Sequence, residues 1–526
     1  MHQFSRILLA SLFVAFVLAG KTCIAEVPDT DRPSLEKPNI VVILADDLGY
    51  GDVQPNQPGS KIETPSFNRL AKEGVNFIDA HSGSGVCTPT RYGLVCGRYC
   101  WRTSLKRGVL GGYSKPLIAK EQQTIGAVLK QQGYYTKCVG KWHLGLGWQW
   151  KESAPKDINN FGVAGGKPMV DFTKSLTDGP LQHGFDESYI IPASLDMSPY
   201  VYLDNERVTK IPTETINGRK FPAFYRKGEI SDDFQHVDCL DHLAEQACEF
   251  ISRRQKTGKP FFLYFPMPAP HKPVIPKKEF EGTSGLGSYG DFIKQVDATV
   301  GKVLQTIDDA GIAENTLVIV TSDNGSFMHR LNEGDRDHTD EASIQGYRTE
   351  NHRPNGILRG TKADVWEAGH RVPFFVRWPQ RIKGGRKADN TICLTDILAT
   401  TSRAAGGTFD RSQSPDSFSF LHHATLEETA EPQRPMVINH SSGGMFAIRD
   451  GKWKLILGNG SGGREKPRGR PFEKPFGLYD LKSDLGETKN LSDQHPEKVE
   501  LMMKAFQEIA PKEMPEGAQV RKPAKR

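Results

Sequence analysis

NIVVILADD, Asn39–Asp47, is the stretch whose reading decides the fold. Its five consecutive apolar residues, Ile40–Leu44, are mostly β-branched and describe a strand covered on both faces. Downstream, ETPSFNRLAKEGVNF supplies Thr64 as a helix cap, Pro65 for the first turn and Gly74 as the stop, with Val75 and Phe77 opening the next strand. A similar unit follows: Thr124 as cap, a helix to about Gln132, Gly133 as stop, then the strand YYTKCVG. Strand–helix–strand repetition predicts an α/β fold with one large, mostly parallel sheet flanked by helices. FFLYF (261–265), TLVIVTSDNG (316–325) and VPFFVRW (372–378) complete that sheet.

Residues 145–235, rich in Gly, Pro and polar side chains, read as insertions over the sheet. The pattern changes after about residue 425. MFAIRDGKWKLIL places Asp450-Gly451 between two alternating runs, a hairpin signal; GLYDL (477–481) reads as a strand and PEKVELMMKAFQEIA as an amphipathic helix. The expected division is a signal peptide over 1–25, a catalytic α/β domain over 38–424, a small antiparallel sheet plus helix over 425–515, and a basic tail over 516–526.

The 526 residues are 37% hydrophobic and 25% charged, enough for a large core and unlike a disordered or fibrous chain. Arg6, the apolar run Ile7–Leu18 and Cys23-Ile24-Ala25 before Glu26 form an export signal. The run is too short to span a bilayer comfortably, and no later stretch is apolar enough. These features predict an exported protein, periplasmic or secreted, with no stable membrane span. Cleavage removes Arg6, Lys21 and no acid, so the formal charge falls from +5 to +3, too little to argue for nucleic acid. VRKPAKR and GREKPRGRPFEKP read as solvated loops. Of eight cysteines, seven survive cleavage, and an odd number leaves at least one unpaired or converted.

Ligands of open α/β sheets sit beyond the carboxyl ends of strands. Asp46 and Asp47 fall at one such end, Asp323 and Asn324 at another. Four hard oxygen side chains there suit Ca²⁺ or Mg²⁺ rather than Zn²⁺, against the alternative that they cap turns. In SGVCTPTRYGLVCGR (84–98), Thr88 is expected to cap a short helix with Pro89 in its first turn and Gly97 as its stop. Cys87 then stands at a helix start with Arg91 about one turn in, a setting that makes a cysteine reactive. GKWHLG puts Lys141 and His143 on one side of an extended segment; PAPHKP puts His271 just past FFLYF; RGTKADVWEAGHRVP carries Lys362. A lone histidine is more often a hydrogen-bonded structural residue, and a lone lysine a solvated one. All of them fall in loops expected on one sheet edge.

DDLGYGD, CTPTR, GKWHLG, SDNG and the Lys362 segment, in this order, resemble the formylglycine-dependent type I sulfatases of the alkaline phosphatase superfamily. The resemblance runs from Asn39 to about residue 491. It implies that a maturation enzyme oxidises Cys87 to formylglycine (3-oxoalanine). One hydroxyl of the hydrated group would attack sulfur, and the other would then expel sulfate. It further implies one Ca²⁺ held by Asp46, Asp47, Asp323, Asn324 and the Cys87-derived oxygen. Arg91, Lys141 and Lys362 would stabilise charge, His271 would serve the leaving oxygen, and His143 would assist deprotonation. This chain departs from the common pattern at Thr90, at Val95-Cys96-Gly97-Arg98 and at Glu367-Ala368-Gly369-His370-Arg371. His370 therefore has two readings, as a substrate contact or as a structural residue. The expected substrates are sulfated carbohydrates. The rival readings are a phosphate or phosphonate monoester hydrolase on the same scaffold and a non-catalytic glycan-binding relative.

Overall fold

A computed structural model describes residues 37–154, 169–220, 223–328, 352–430, 432–510 and 512–513. The signal peptide expected over 1–25 and the tail over 516–526 lie outside the described residues. The main sheet has ten strands: β1 Asn39–Asp46, β2 Val75–Phe77, β3 Tyr135–Lys141, β4 Glu187–Ile191, β5 Leu203–Asp204, β6 Arg207–Val208, β7 Phe261–Pro270, β8 Thr316–Ser322, β9 Phe374–Arg377 and β10 Arg386–Ala388. Their spatial order is β10-β2-β9-β8-β1-β7-β3-β4-β5-β6. β1 is central and parallel to both neighbours, with Ile40 opposite Phe262 on one side and Leu317 on the other.

The alternation along β1 feeds two cores. Ile40, Val42 and Leu44 join Tyr264 and Ile319 on one face, packed by α2 Cys87–Cys96, α3 Ile125–Gln131 and α7 Asp396–Ala404. Val41 and Ile43 join Phe265 and Val320 on the other, packed by α1 Pro65–Glu73, α4 Cys239–Arg254 and α5 Gly287–Asp309. Burial on both faces is why the strand reads as an unbroken apolar run.

Several local readings hold. Thr124 Oγ1 accepts from Ala127 N at 3.1 Å and caps α3, and Gly133 stops it with φ 88°. Gly74 ends α1 where a Cβ would stand 2.2 Å from Val376 O. Others change. Thr64 does not cap α1 with its side chain, because its Oγ1 is taken by Gln54 N at 2.9 Å. The cap is Asp297, from α5, which accepts from Ser66 N and Phe67 N at 3.0 Å. β9 runs antiparallel to β8 and β2. The short helix α6, Glu367–His370, precedes β9.

The C-terminal part forms β11 Val437–His440, β12 Phe446–Asp450, β13 Trp453–Ile456 and β14 Gly477–Asp480, an antiparallel sheet covered by α8 Pro496–Ile509 through Met502 and Phe506. In its hairpin Asp450 pairs with Trp453, so the two-residue turn is Gly451-Lys452, one residue later than expected, with Gly451 at φ 54°. Seven cysteines are buried and unpaired among the described residues, where no helix is long and apolar enough to cross a membrane.

Candidate active site

The register that sets Ala45 opposite Ser322 brings the two acid-bearing strand ends abreast. Asp47 N donates to Asp323 Oδ1 at 3.2 Å, and Asn324 Nδ2 donates to Asp47 Oδ1 at 2.7 Å. Cys87 is the first residue of α2, and its sulfur lies within 4.8 Å of a carboxylate oxygen from each of Asp46 and Asp323. The cap precedes it at Val86 rather than following at Thr88, whose Oγ1 instead accepts from Leu110 N at 3.2 Å. Gly97 ends the helix in the left-handed region as expected.

Arg91 reaches the acids from within α2. Its Nε and Nη2 donate to Asp323 Oδ2 at 2.9 and 2.8 Å, and Nη1 donates to Lys141 O at 2.9 Å. Lys141 Nζ lies 2.6 Å from Asp46 Oδ2, and Lys362 Nζ lies 2.6 Å from Asp47 Oδ1. His271 Nε2 stands 3.6 Å from Asp47 Oδ2. Its Nδ1 is 2.6 Å from Lys272 O, a carbonyl, which assigns the proton to Nδ1. His143 Nε2 likewise donates to Leu110 O at 2.7 Å, so its Nδ1 keeps an unshared pair, buried and without a partner. All ten residues expected at the site therefore meet at one sheet edge. Asp47, His143 and Ala363, next to Lys362, have φ of 68°, 57° and 82°. Left-handed backbone in non-glycine residues persists where the surroundings over-determine it, and here it recurs among the candidate site residues.

Three buried carboxylates face three buried cations. Burial works against the charge of Asp46, but Lys141, His271, Arg91 and Lys362 hold its carboxyl well below the usual range. Burial and then the adjoining Asp46 push Asp323 up to about 7 in spite of Arg91. Burial, then Lys141, push His143 well below its ordinary range and hold the ring neutral. Burial raises the Cys87 thiol above its ordinary range, outweighing Lys141 and Lys362. The thiol itself is therefore not the activated thiolate that its position suggested, because burial disfavours the charge and Asp323 and Asp46 stand beside it.

The donor set fits a hard cation. Asp46 Oδ1 and Asn324 Oδ1 are buried acceptor oxygens with no donor, beside further carboxylate oxygens of Asp47 and Asp323. His370 does not join them. Its Nδ1 lies 3.0 Å from His81 Nδ1 and its Nε2 3.0 Å from Val365 O, which makes it a structural residue. Two neighbours escaped the sequence reading. Asp196 is 1% exposed, has an unpartnered Oδ1 3.8 Å from His271 Nδ1, and is ion-paired to Arg226. Lys272 directly follows His271. No motif marks Asp196, and the adjacency of Lys272 to His271 was the one available signal.

A family profile described as Sulfatase matches residues 38–407. Over 523 residues the chain is 32% identical to the N-acetylgalactosamine-6-O-sulfatase of Bacteroides thetaiotaomicron, covering 93% of this chain and 96% of that protein. It is 31% identical over 378 residues to the N-acetylgalactosamine-6-sulfatase of Canis lupus familiaris, covering 70% of this chain and 63% of that protein. A solved structure described under the metabolism of multiple glycosaminoglycans by Bacteroides thetaiotaomicron superposes with a TM-score of 0.76 at 30% identity, covering 91% of this chain and all of that one.

Proposed function

The chain belongs to the sulfatase family, enzymes that hydrolyse sulfate esters, and on that premise we propose that it releases inorganic sulfate from sulfated carbohydrates using a formylglycine made from Cys87 and one Ca²⁺. The observation that carries this reading is the meeting of Cys87 with Asp46 and Asp323 under the guanidinium of Arg91. Asp46, Asp47, Asp323 and Asn324 are the residues that would hold the ion. When bound, the two groups supply a geminal-diol nucleophile and a Lewis acid for the sulfate oxygens.

This chain's own residues do the rest. Arg91 is fixed by three hydrogen bonds and presents a positive charge without reorganisation. The Lys141 and Lys362 ammonium groups rest on carboxylates that a cation would also claim, so they are poised to turn toward an anionic ester. His143 Nδ1 accepts a proton from the nucleophile's side of the pocket. Burial, then Lys362, hold His271 below its ordinary range; an arriving anion raises it, so the ring gains its second proton together with the substrate and gives it to the leaving oxygen. The names of the two relatives favour 6-sulfated N-acetylgalactosamine as the first substrate to try. Export and a maturation enzyme acting on Cys87 belong to the same reading.

The test pairs mass spectrometry of the peptide spanning residues 87–91 with sulfate release from a panel of defined sulfated saccharides, with and without Ca²⁺. Conversion of Cys87 with Ca²⁺-dependent release is expected. No release from any saccharide by converted protein overturns the carbohydrate assignment, and faster turnover of a matched aryl phosphate than of the aryl sulfate overturns the sulfatase chemistry.

A further inference from the structure

The rim of the site carries positive charge that one sulfate does not use. Lys272 Nζ lies 4.6 Å from the centre of the Phe224 ring, and the Arg226 guanidinium lies 5.4 Å from the same ring. Arg226 is ion-paired to Asp196, whereas Lys272 and Arg464 form no ion pair among the described residues. Arg464 arrives from the segment after β13, which reads in sequence as a solvated loop. Its first residues are not free of the site. Asp364, two residues past Lys362, accepts from Arg464 N at 2.6 Å, from Glu465 N at 3.2 Å and from Thr361 N at 2.9 Å. At Gly463 a Cβ would stand 2.3 Å from Ala363 O, so the two segments touch backbone to backbone.

Two cations far apart in sequence, Lys272 after β7 and Arg464 after β13, thereby come near the loop of Lys362. Burial, then Arg464, Lys362 and Arg226 acting against Asp196, push the Lys272 ammonium down to about 8. Arg464 also opposes the charge on Lys362. Asp196, already paired to Arg226, is the one carboxylate that acts on Lys272, so the cations outnumber it and an anion joining them would offset the excess.

We propose that Lys272 and Arg464, flanked by Arg226, form a second anion subsite, which binds a carboxylate or sulfate on the sugar next to the one carrying the scissile ester. This rests on the carbohydrate reading above. It gives the basic start of the 463–470 segment a purpose, and it makes an acidic saccharide a better substrate than a neutral one.

Three disaccharides test it, all with the same 6-sulfated N-acetylgalactosamine and with a uronic acid, a second sulfated sugar or a neutral sugar beside it. Wild type is expected to prefer at least one acidic disaccharide by about tenfold in kcat/KM, mainly through KM, with the preference shrinking as salt rises. K272M and R464M should each reduce the preference, and the double variant should abolish it. Preference for the uronic acid or for the second sulfate identifies the anion, and either supports the subsite. Equal turnover of all three by wild type, or variants that slow all three by one factor, overturns it and leaves the sulfatase reading standing. No release from any of the three, with aryl sulfate still cleaved, removes the carbohydrate reading and the subsite with it.

Discussion

Replacing Lys454 with methionine should loosen the small sheet from the loop that bears Lys362. Lys454 Nζ lies 3.0 Å from Glu367 Oε1 and 2.8 Å from Glu487 Oε1, and all three side chains are completely buried. The two acids differ in what remains after the substitution. Burial opposes the charge of Glu367, but after Lys454 it still has Arg371, at 3.2 Å, to keep it ionised. Glu487 has no other ion-pair partner among the described residues, and burial already pushes its carboxyl up against the pull of Lys454. Stranding a buried charge in this way costs about 3–5 kcal/mol. The cost should depend on pH. With its folded pKa raised further above the unfolded value of about 4.3, Glu487 binds a proton more tightly in the native state, so stability falls as pH rises through that window. The penalty of K454M is thus largest at neutral pH and shrinks toward pH 4, and K454M/E487Q should regain most of it. Urea midpoints at several pH values measure this. A loss below about 1 kcal/mol at neutral pH, or one that does not change with pH, refutes the assignment of Glu487 as the stranded group.

Cys87→Ala should abolish sulfate release while leaving the urea midpoint near wild type; residual turnover would remove Cys87 from the chemistry. Asp323→Asn should weaken the Ca²⁺-induced rise in melting temperature, since the ion stabilises only what it binds; an unchanged rise would take Asp323 out of the ligand set. Burial raises Asp297 to about 6 despite the Phe67 and Ser66 N–H groups, so wild type should lose about 3 kcal/mol as pH climbs from 4 through 6, and D297N should not. Gly85→Ala places a Cβ 2.7 Å from Asp364 O and forces the turn before Cys87 away from the Lys362 loop, with turnover falling on the order of a hundredfold; full activity would show that the two loops need no such contact.

The central sheet was legible because β1 is buried on both faces and shows it as an unbroken apolar run. The site was legible because the strands that meet end in acids, and parallel strands bring their carboxyl ends to one edge. What stayed hidden depends on partners distant in the chain. The cap of α1 comes from Asp297, 231 positions after Ser66, and a threonine in the right place was a stronger local signal than an aspartate in another helix. Thr88 looked like a cap until Leu110 N took its hydroxyl. The reversal of β9 shows in its pairing with β8 and β2 and is not marked by its own residues. Arg464 looked solvated because the contact that draws its segment inward is made by backbone N–H groups, which every sequence has.

The burial of Cys87 sets a timetable for making the protein. The side chain is 2% exposed, and the turn before it is sealed by segments made much later: Gly85 N donates to His440 O at 3.0 Å, and Ala363 N donates to Gly85 O at 2.7 Å. Any catalyst that rewrites this sulfur needs it in reach before residues 363 and 440 arrive. The conversion proposed for Cys87 would then precede closure of the fold, and a molecule that folded first would keep its thiol.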